Sequence, residues 1–573
     1  MPFTLDTTFV PAHLNAAHWD ALAPLYADLA ERQVSGRAEF ERWVLDRSEL
    51  DAAAGEARAN LYIAMTCRTD DPATADAWAA YIEQVPPKLK PVSAALDRRQ
   101  AEMHARFAPG DPRYAVLERA LRNEIELYRE VNVPLETELA RLDQRYDQVC
   151  GAMEVDFEGE RRTMPQMARY QESTDRALRE RAWRASSARR LADHEEISSI
   201  LDRMVHLRHQ CARNAGFGSF LEYEHRRKGR FDYTPQDCEA FHRAIEKHAV
   251  PFMRRLDARR RASLELPALR PWDLAVDELG RPPLRPFTNG QDLIEKTRRV
   301  YRRVDPALAD LFHRLGDDRA PGGCFDLDSR KGKASGGYQY MRDRSREPFI
   351  FMNAAGLHRD VQTMVHEAGH AFHSMLCERE PLVWYRSSPI EFAEVASMTQ
   401  ELLTMGEWDE FYPSPADAAR ARRAQLEGAV SILPWIATID AFQHWIYRNP
   451  THTHDNRRIE WIGLDARFGH DLDWNGLDDS RALMWQRQGH LFGSPLYYVE
   501  YGIAQLGALG IWARSLRDGR PAALRDYTAA LSLGGSRPLP ELFERAGVPF
   551  DFSESAVGRT IDAVERYLDS IGD

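Results

Sequence analysis

Three histidines and one glutamate lie close together in the segment "VQTMVHEAGHAFHSML", residues 361–376. On a helix, with about 100° of rotation per residue, His366, His370 and His373 share one face while apolar side chains cover the opposite face. His366, Glu367 and His370 form the pattern H-E-x-x-H, in which two imidazoles bind one zinc ion and the glutamate acts as a general base. The segment therefore predicts a zinc site, the alternative being a surface helix that happens to be rich in histidine.

A catalytic zinc ion needs a third protein ligand, because such sites use three side chains and leave a fourth position for water. His373 is the nearest candidate in sequence, but three ligands on consecutive turns of one straight helix reach a single ion poorly. We therefore expect His373 to lie beside the ligands, where it supports them, or in another buried polar contact.

Better candidates for the third ligand lie in "SSPIEFAEVASMTQELL", which has the pattern of a helix start. Ser388 is predicted as the N-cap and Glu391 as its partner in a capping box. Glu394 and Glu401 are then free on one face of a mostly apolar segment, where buried carboxylates need a cation. We predict Glu394 as the third ligand and Glu401 as the acceptor of a hydrogen bond from a ligand histidine, the alternative being two solvated acids.

The elements that must position these residues are mostly helices, because most of the chain has apolar residues at helical spacing. Two short β signals interrupt them. "MEVDFEGERRTM" predicts a hairpin that turns at Glu158 and Gly159, and "GGYQYMRDRSREPFIFMN" predicts strands at 338–341 and 349–352, directly before the histidine helix. The second ribbon is either a structural hairpin or an edge strand beside the metal, to which an extended peptide can add.

Charge and composition argue against several classes of protein. The chain has 573 residues, and its formal net charge of −12 argues against nucleic acid as the main partner, because phosphate binding needs a basic surface. Six cysteines occur without a C-x-x-C pair, so we expect reduced thiols and a cytoplasmic protein. The N-terminus lacks the pattern of a signal peptide, and no apolar run is long enough to span a membrane.

Two of these stretches together resemble a known family of zinc peptidases. "HEAGHAFH" is followed by "FAEVAS", with 23 residues between His370 and Glu394. This pairing is similar to that of the oligoendopeptidase F type of the thimet-oligopeptidase (M3) family, as are "PFIFMNAAGLHRDVQTMVHEAGH" and "SPLYYVEYGIAQLGALGIW". The resemblance is strongest over residues 323–553, is weaker from about residue 151, and is not claimed for the first hundred residues.

The resemblance implies an almost entirely helical fold in which two lobes enclose a deep substrate channel with one zinc ion on its floor. It matches His366, His370 and Glu394 to the zinc ligands, and Glu367 to the general base. We accordingly divide the chain into an N-terminal helical domain, residues 1–170, and a helical catalytic domain, residues 171–573, with the H-E-x-x-H helix at 358–377.

The family also places a histidine and one or two tyrosines from a C-terminal helix on the substrate carbonyl. In "GHLFGSPLYYVEYG" the matching residues are His490, Tyr498 and Tyr501, and the resemblance leaves open which tyrosine serves. Ser494 and Pro495 are predicted to begin this helix as N-cap and first helical residue. Without a zinc site, tyrosines at helical spacing more often belong to a core or an interface.

The function that the resemblance implies is a zinc-dependent endopeptidase that hydrolyses short unstructured peptides. One alternative keeps the zinc ion but removes residues from a peptide end, as a carboxypeptidase or dipeptidyl carboxypeptidase does. Another is a catalytically silent helical protein that binds peptides. Neither nucleic acid nor a membrane is expected as a partner, and the sequence leaves the peptide preference, the native metal and the oligomeric state open.

Overall fold

The computed structural model describes residues 9–320, 323–334 and 336–571. Helices account for most of these residues, and two small β-sheets are the other regular elements in the described ranges. The predicted mostly α fold, with a small β ribbon before the histidine helix, is confirmed. Among the described residues, no helix is both long and apolar enough to cross a membrane.

The N-terminal region is a helical bundle with its own core. Phe40 and Trp43 are fully buried there, and the indole N–H of Trp43 donates to the carbonyl of Leu29 at 2.8 Å. The core also includes Leu382 and Tyr385, which come from much later in the chain. The helices of this region are α1 (Trp19–Glu31), α2 (Arg37–Cys67), α3 (Pro72–Gln84), α4 (Pro86–Phe107), α5 (Ala115–Leu127) and α6 (Val133–Gly151).

The predicted hairpin follows, with β1 (Glu154–Phe157) antiparallel to β2 (Glu160–Thr163). Its turn residues Glu158 and Gly159 have positive φ values of 50° and 78°, as a tight two-residue hairpin turn requires. The next helices are α7 (Met164–Ala168), α8 (Arg176–Ala192), α9 (His194–Asn214), α10 (Phe220–Arg227), α11 (Pro235–Ser263), α12 (Gly290–Val304) and α13 (Pro306–Arg314). The domain boundary near residue 170 stays a prediction.

The second sheet has three strands, one more than predicted. β4 (Tyr338–Arg342) and β5 (Glu347–Ala354) form the predicted antiparallel ribbon, and β3 (Phe325–Asp328) pairs in parallel with the other side of β5. The strand order is β3-β5-β4. Among the described residues β4 pairs only with β5, so β4 is an edge strand.

Two neighbouring helices carry the histidines and the predicted third ligand: α14 (His358–Leu376) and α15 (Ile390–Thr404). They touch at Gly369, where an added Cβ would lie 2.6 Å from both the Ala396 carbonyl oxygen and the Ser397 Cα. The later helices are α16 (Pro415–Arg448), α17 (His454–Phe468), α18 (Asp478–Ala482), α19 (His490–Gly493), α20 (Tyr498–Asp518), α21 (Arg520–Leu531), α22 (Leu539–Arg545) and α23 (Glu554–Ile571).

The start of α15 differs from the prediction. The helix begins at Ile390 with Pro389 as its N-cap, and no side chain caps it. Glu391 is buried, and its Oε1 accepts a hydrogen bond from the Tyr233 hydroxyl at 2.7 Å. The predicted capping box of Ser388 with Glu391 is therefore wrong, because a tyrosine that is distant in sequence occupies the carboxylate.

The start of α20 also differs from the prediction. Ser494 is the C-cap of the short helix α19 instead of the N-cap of α20. Leu496 has a positive φ of 58°, and its backbone N–H donates to Oε1 of Gln443 at 2.7 Å. The left-handed backbone of Leu496 cannot be part of an α-helix, so α20 begins only at Tyr498. The predicted helix start at Ser494 and Pro495 is therefore wrong.

Gly369→Ala should destabilise the protein, because the new methyl group would overlap the backbone of α15. Overpacking of this kind costs about 1–3 kcal/mol of the free energy of unfolding. Gly463→Ala is the matched control, since Gly463 lies inside α17 with no described atom within 4 Å of an added Cβ, and alanine is the better helix former. Chemical denaturation would measure both variants, and equal stability of the two would contradict the close contact at Gly369.

Candidate active site

His366 and His370 of α14 and Glu394 of α15 form a compact group of metal-binding side chains. One ligand atom from each lies within 4.8 Å of the others. Nε2 of His366 is 3.4 Å, and Nε2 of His370 is 3.6 Å, from the same Oε2 of Glu394. Ligands bonded at about 2.1 Å to one tetrahedral ion lie about 3.4 Å from each other, so this spacing suits a single metal ion.

Glu401, two turns after Glu394 on α15, orients the ring of His366. Its Oε1 lies 2.7 Å from Nδ1 of His366, and because a carboxylate only accepts, this contact keeps a proton on Nδ1. In the neutral ring, Nε2 is then the nitrogen available to a metal ion. Gln425 of α16 donates to the other oxygen of Glu401 at 2.8 Å, which holds that carboxylate in place.

The charges of this group favour a bound cation. Burial opposes the charged form of His366, but Glu394 and Glu401 raise its pKa well above the usual value. Burial lowers the pKa of His370 to about 4, so this imidazole is neutral, the form that binds metals. Burial would also raise the pKa of Glu394, yet its contacts with His366 and His370 lower that pKa to about 2. Glu394 therefore holds a negative charge in a buried site, which a metal ion would neutralise.

Glu367 is a buried carboxyl group between the metal-binding side chains and the edge strand β4. Burial raises its pKa to about 7, against the lowering effect of His366 and together with the raising effect of Glu394. The carboxyl group also accepts a hydrogen bond from the backbone N–H of Gln339 on β4. A carboxyl group in this position can accept a proton from, and return it to, a molecule bound beside β4.

His373 is buried on the same helix, and burial lowers its pKa to about 3. Its Nε2 has no hydrogen-bond partner among the described residues. It does not belong to the group of ligand atoms formed by His366, His370 and Glu394. Its predicted supporting role therefore gains no hydrogen bond from the structure and stays a prediction.

His490 and the tyrosines at the start of α20 form an aromatic cluster. The ring of His490 lies 5.0 Å from that of Tyr498 and 6.1 Å from that of Tyr501, between centroids. Tyr497 packs against Tyr501 at 5.0 Å. Burial raises the pKa of both Tyr497 and Tyr501, and the negative charge of Glu394 raises both pKa values further. These two phenols therefore interact electrostatically with the metal-binding group.

Gln488 determines which nitrogen of His490 carries the proton. The indole N–H of Trp435 donates to Oε1 of Gln488 at 3.2 Å, and since an indole only donates, this contact identifies the oxygen end of the amide. The amide nitrogen then donates to Nδ1 of His490 at 2.8 Å. Burial lowers the pKa of His490, so the neutral ring carries its proton on Nε2 and can donate from there. The hydroxyl of Tyr498 also contacts Trp435 and Gln488.

Sequence reasoning missed three residues of this region: Gln425, Gln488 and Tyr497. The two glutamines carry no spacing signal, because each acts on a histidine or carboxylate from another element. Tyr497 lies four residues before Tyr501, but the family resemblance matches only Tyr498 and Tyr501. The structure brings the predicted residues His366, Glu367, His370, Glu394 and Glu401 together on two helices. His490, Tyr498 and Tyr501 form a cluster of their own, in which Tyr501 is close enough to Glu394 for its charge to raise the pKa of the phenol.

Comparison with known proteins assigns the family. Residues 169–558, well over half of the chain, match Peptidase family M3. The chain therefore belongs to peptidase family M3. Oligopeptidase PepF of Bacillus subtilis (strain 168) is 25% identical over 342 residues, which cover 57% of this chain and 48% of PepF. The matched part thus spans about half the length of that curated relative.

Solved structures resemble nearly the whole chain. A 3.1 Å X-ray structure of a protein assigned as oligoendopeptidase F has a TM-score of 0.88 and 28% identity, covering 98% of each chain. PZ peptidase A, solved with an inhibitor, has a TM-score of 0.85 and 27% identity, covering 96% of this chain and 97% of its own. The helical M3 fold therefore extends over the N-terminal region, where the sequence motifs gave no resemblance.

Glu394→Gln should remove one metal ion per chain relative to the unchanged protein, because an amide oxygen lacks the negative charge of the carboxylate. Glu391→Gln is the matched control, since Glu391 is buried one turn earlier on α15 but bonds to Tyr233 instead of the metal-binding group. Metal content would be measured by elemental analysis after dialysis. Full metal content in Glu394→Gln would exclude Glu394 as a ligand.

Proposed function

We propose that this protein is a zinc-dependent endopeptidase that hydrolyses short unstructured peptides. One observation supports this function above all: two imidazoles and a carboxylate converge to within bonding distance of one ion, with a second buried carboxylate, Glu367, directly beside them. Membership of peptidase family M3 supports the reaction class. The names of relatives such as Oligopeptidase PepF support peptides as the substrate class.

The residues present fit one zinc ion. Two histidines and one glutamate are a common ligand set of catalytic zinc sites, in which a fourth position stays open to water or substrate. His366, His370 and Glu394 would hold the ion, and Glu401 would keep the His366 ring in the binding orientation. When bound, zinc polarises the scissile carbonyl and lowers the pKa of a water molecule to about 7.

Glu367 is the proposed general base. Its carboxylate takes a proton from the attacking water and returns that proton to the nitrogen of the leaving amine. Its contact with Gln339 supports this role, because β4 is the edge strand to which an extended peptide can add through main-chain hydrogen bonds. A peptide bound along β4 would therefore pass the carboxyl group of Glu367. This binding mode, like the role itself, is part of the proposal.

Tyr501 and His490 are the proposed donors to the negative oxygen that develops on the substrate carbonyl. The charge of Glu394 raises the pKa of Tyr501, which keeps its hydroxyl protonated and able to donate. The neutral ring of His490 has its proton on Nε2 and can donate from there. Donors fixed in advance in a buried site stabilise such charge strongly. Tyr498 is the weaker candidate, because its hydroxyl is already engaged with Trp435 and Gln488.

The location and partners are also proposals. All six cysteines are unpaired, as expected for a reducing compartment, and we propose a cytoplasmic location. Short peptides are the proposed binding partners. A chelator should abolish peptide hydrolysis if zinc is required.

Glu367→Gln should keep the same number of metal ions as the unchanged protein and lose peptide hydrolysis by a factor of about 10²–10⁴, the usual contribution of a general base. The amide keeps the size of the side chain but cannot accept a proton. A quenched fluorescent peptide would give the rate, and elemental analysis the metal content. Turnover near that of the unchanged protein would exclude Glu367 as the base.

A peptide with both termini blocked separates the proposed endopeptidase from a carboxypeptidase or dipeptidyl carboxypeptidase. We expect internal cleavage of the blocked peptide, read by mass spectrometry of the fragments. An enzyme that recognises a free C-terminal carboxylate would cut only the unblocked form of the same peptide. A protein that binds both forms and cuts neither would support the alternative of a silent peptide-binding protein.

Tyr501→Phe should lower kcat by about 10²–10³, the effect of losing one donor to the developing oxyanion, with little change in KM. Tyr498→Phe is the matched comparison on the same helix, and we expect it to cost less. Steady-state kinetics on one peptide would measure both. A larger loss in Tyr498→Phe would transfer the donor role from Tyr501 to Tyr498.

A further inference from the structure

A second group of metal-binding side chains lies outside the candidate active site and shares no residue with it. It is formed by two consecutive helices, α10 and α11, and by α16, which is distant in sequence. α10 provides His225, while α11 and α16 each provide a pair of residues four apart, Cys238 with His242 and Asp440 with His444. All five side chains are at least nine-tenths buried.

The ligand atoms of this second group converge. One atom each from His225, Cys238 and His444 lies within 4.8 Å of the others. Asp440 is beside them, with its Oδ2 2.8 Å from Nε2 of His242 and 3.3 Å from Nε2 of His444. Two helices therefore present their i and i+4 residues to each other, and α10 closes the group with His225.

Several polar atoms in the group lack partners although they are buried. Nδ1 of His225, both ring nitrogens of His444 and Oδ1 of Asp440 form no hydrogen bond with any described residue. A buried polar atom without a partner costs about 1–3 kcal/mol, and native proteins contain few of them. Four such atoms on three adjoining side chains indicate that a binding partner belongs among them.

The protonation states are those that metal ligands require. Burial lowers the pKa of His225 to about 3 and that of His444 to about 4, so both rings are neutral. Burial would raise the pKa of Asp440, but His444 and His242 lower it to about 2, which leaves a carboxylate. Burial raises the pKa of the Cys238 thiol, and a coordinated metal ion reverses this effect because it deprotonates a bound thiol.

We propose that His225, Cys238 and His444 form a second metal site that binds one divalent zinc ion in a structural role, with the carboxylate of Asp440, whose Oδ1 has no described partner, adjacent to the ligands. One thiolate and two imidazoles are ligands that suit zinc. Binding releases the thiol proton of Cys238 to solvent, so the thiolate and the Asp440 carboxylate together balance the charge of the ion. His242 holds the other oxygen of Asp440.

The site would brace the helix that carries the proposed oxyanion donors. Arg230 follows α10, and its guanidinium lies 3.3 Å from His225. The same guanidinium donates to Glu500 of α20 at 2.6 Å and to the carbonyl of Leu496 at 2.5 Å. Glu500 pairs with the positive charge of Arg230 and so offsets part of the repulsion between Arg230 and a cation among the ligands. Through Arg230, the second ion fixes the chain directly before Tyr497 and Tyr501.

Cobalt substitution tests this site separately from the active site, because the proposed active-site ligands include no sulfur. The metal-free full-length protein would be titrated with Co²⁺ under a non-thiol reductant. We expect a near-ultraviolet thiolate-to-cobalt charge-transfer band that saturates by two equivalents of Co²⁺, because the proposed active site takes up the other ion. Cys238→Ser should abolish the band, while Cys211→Ser, which changes another buried cysteine, should keep it. A band that is absent from the unchanged protein, or that persists in Cys238→Ser, would overturn the proposal.

Zinc analysis provides a second measurement that does not depend on the Cys238 variant folding. The unchanged protein should contain two zinc ions per chain after dialysis. The double variant His366→Ala/His370→Ala, which loses the proposed catalytic ligands, should keep one. One ion in the unchanged protein and none in the double variant would overturn the second site and leave the proposed peptidase function standing. If the double variant loses activity but retains one zinc ion, the result supports both proposals.

Discussion

The close approach of α14 and α15 at Gly369 is the constraint on which the candidate active site depends. An added Cβ at this position would lie 2.6 Å from the backbone of α15. Gly369 directly precedes His370, and the backbone that it touches, Ala396, is two residues after Glu394. Backbone contact therefore sets the distance between imidazoles and carboxylate, which leaves little freedom for either helix to shift. The rigid crossing makes a ligand spacing of 3.4–3.6 Å possible with ligands from two helices.

Charge explains why such a crossing would favour a bound metal ion. Glu394 and Glu401 both contact His366, and Glu367 is buried beside them. Packing alone would bring these carboxylates together at a cost in desolvation and mutual repulsion. A divalent cation would remove that cost and tie α14 to α15, so metal binding would also stabilise the helix pair. The buried carboxylates on which the proposed chemistry depends are thus also groups that the fold must stabilise.

The sequence predicts the parts of the site that depend on local spacing. The H-E-x-x-H pattern, the position of Glu394 on a following helix and the turn at Glu158 and Gly159 are all readable within short segments. Contacts between distant segments are not. The hydroxyl of Tyr233 donates a hydrogen bond to the carboxylate of Glu391, which lies 158 residues later in the chain. Glu391 therefore does not form the predicted capping box. β3 pairs in parallel with β5 although it is only four residues long, too short to give a pattern.

One long helix, α16, connects the features that local sequence patterns do not reveal. Gln425 donates to Glu401, which in turn contacts His366. Trp435 donates to Gln488, which in turn contacts His490. Gln443 accepts from the backbone of Leu496 just before α20, and Asp440 with His444 belongs to the second metal-binding group. From Gln425 to His444 these residues extend over about 28 Å of one helix axis. Because these residues lie on one helix, α16 links the candidate metal ligands, the proposed oxyanion donors and the buried histidine–cysteine cluster.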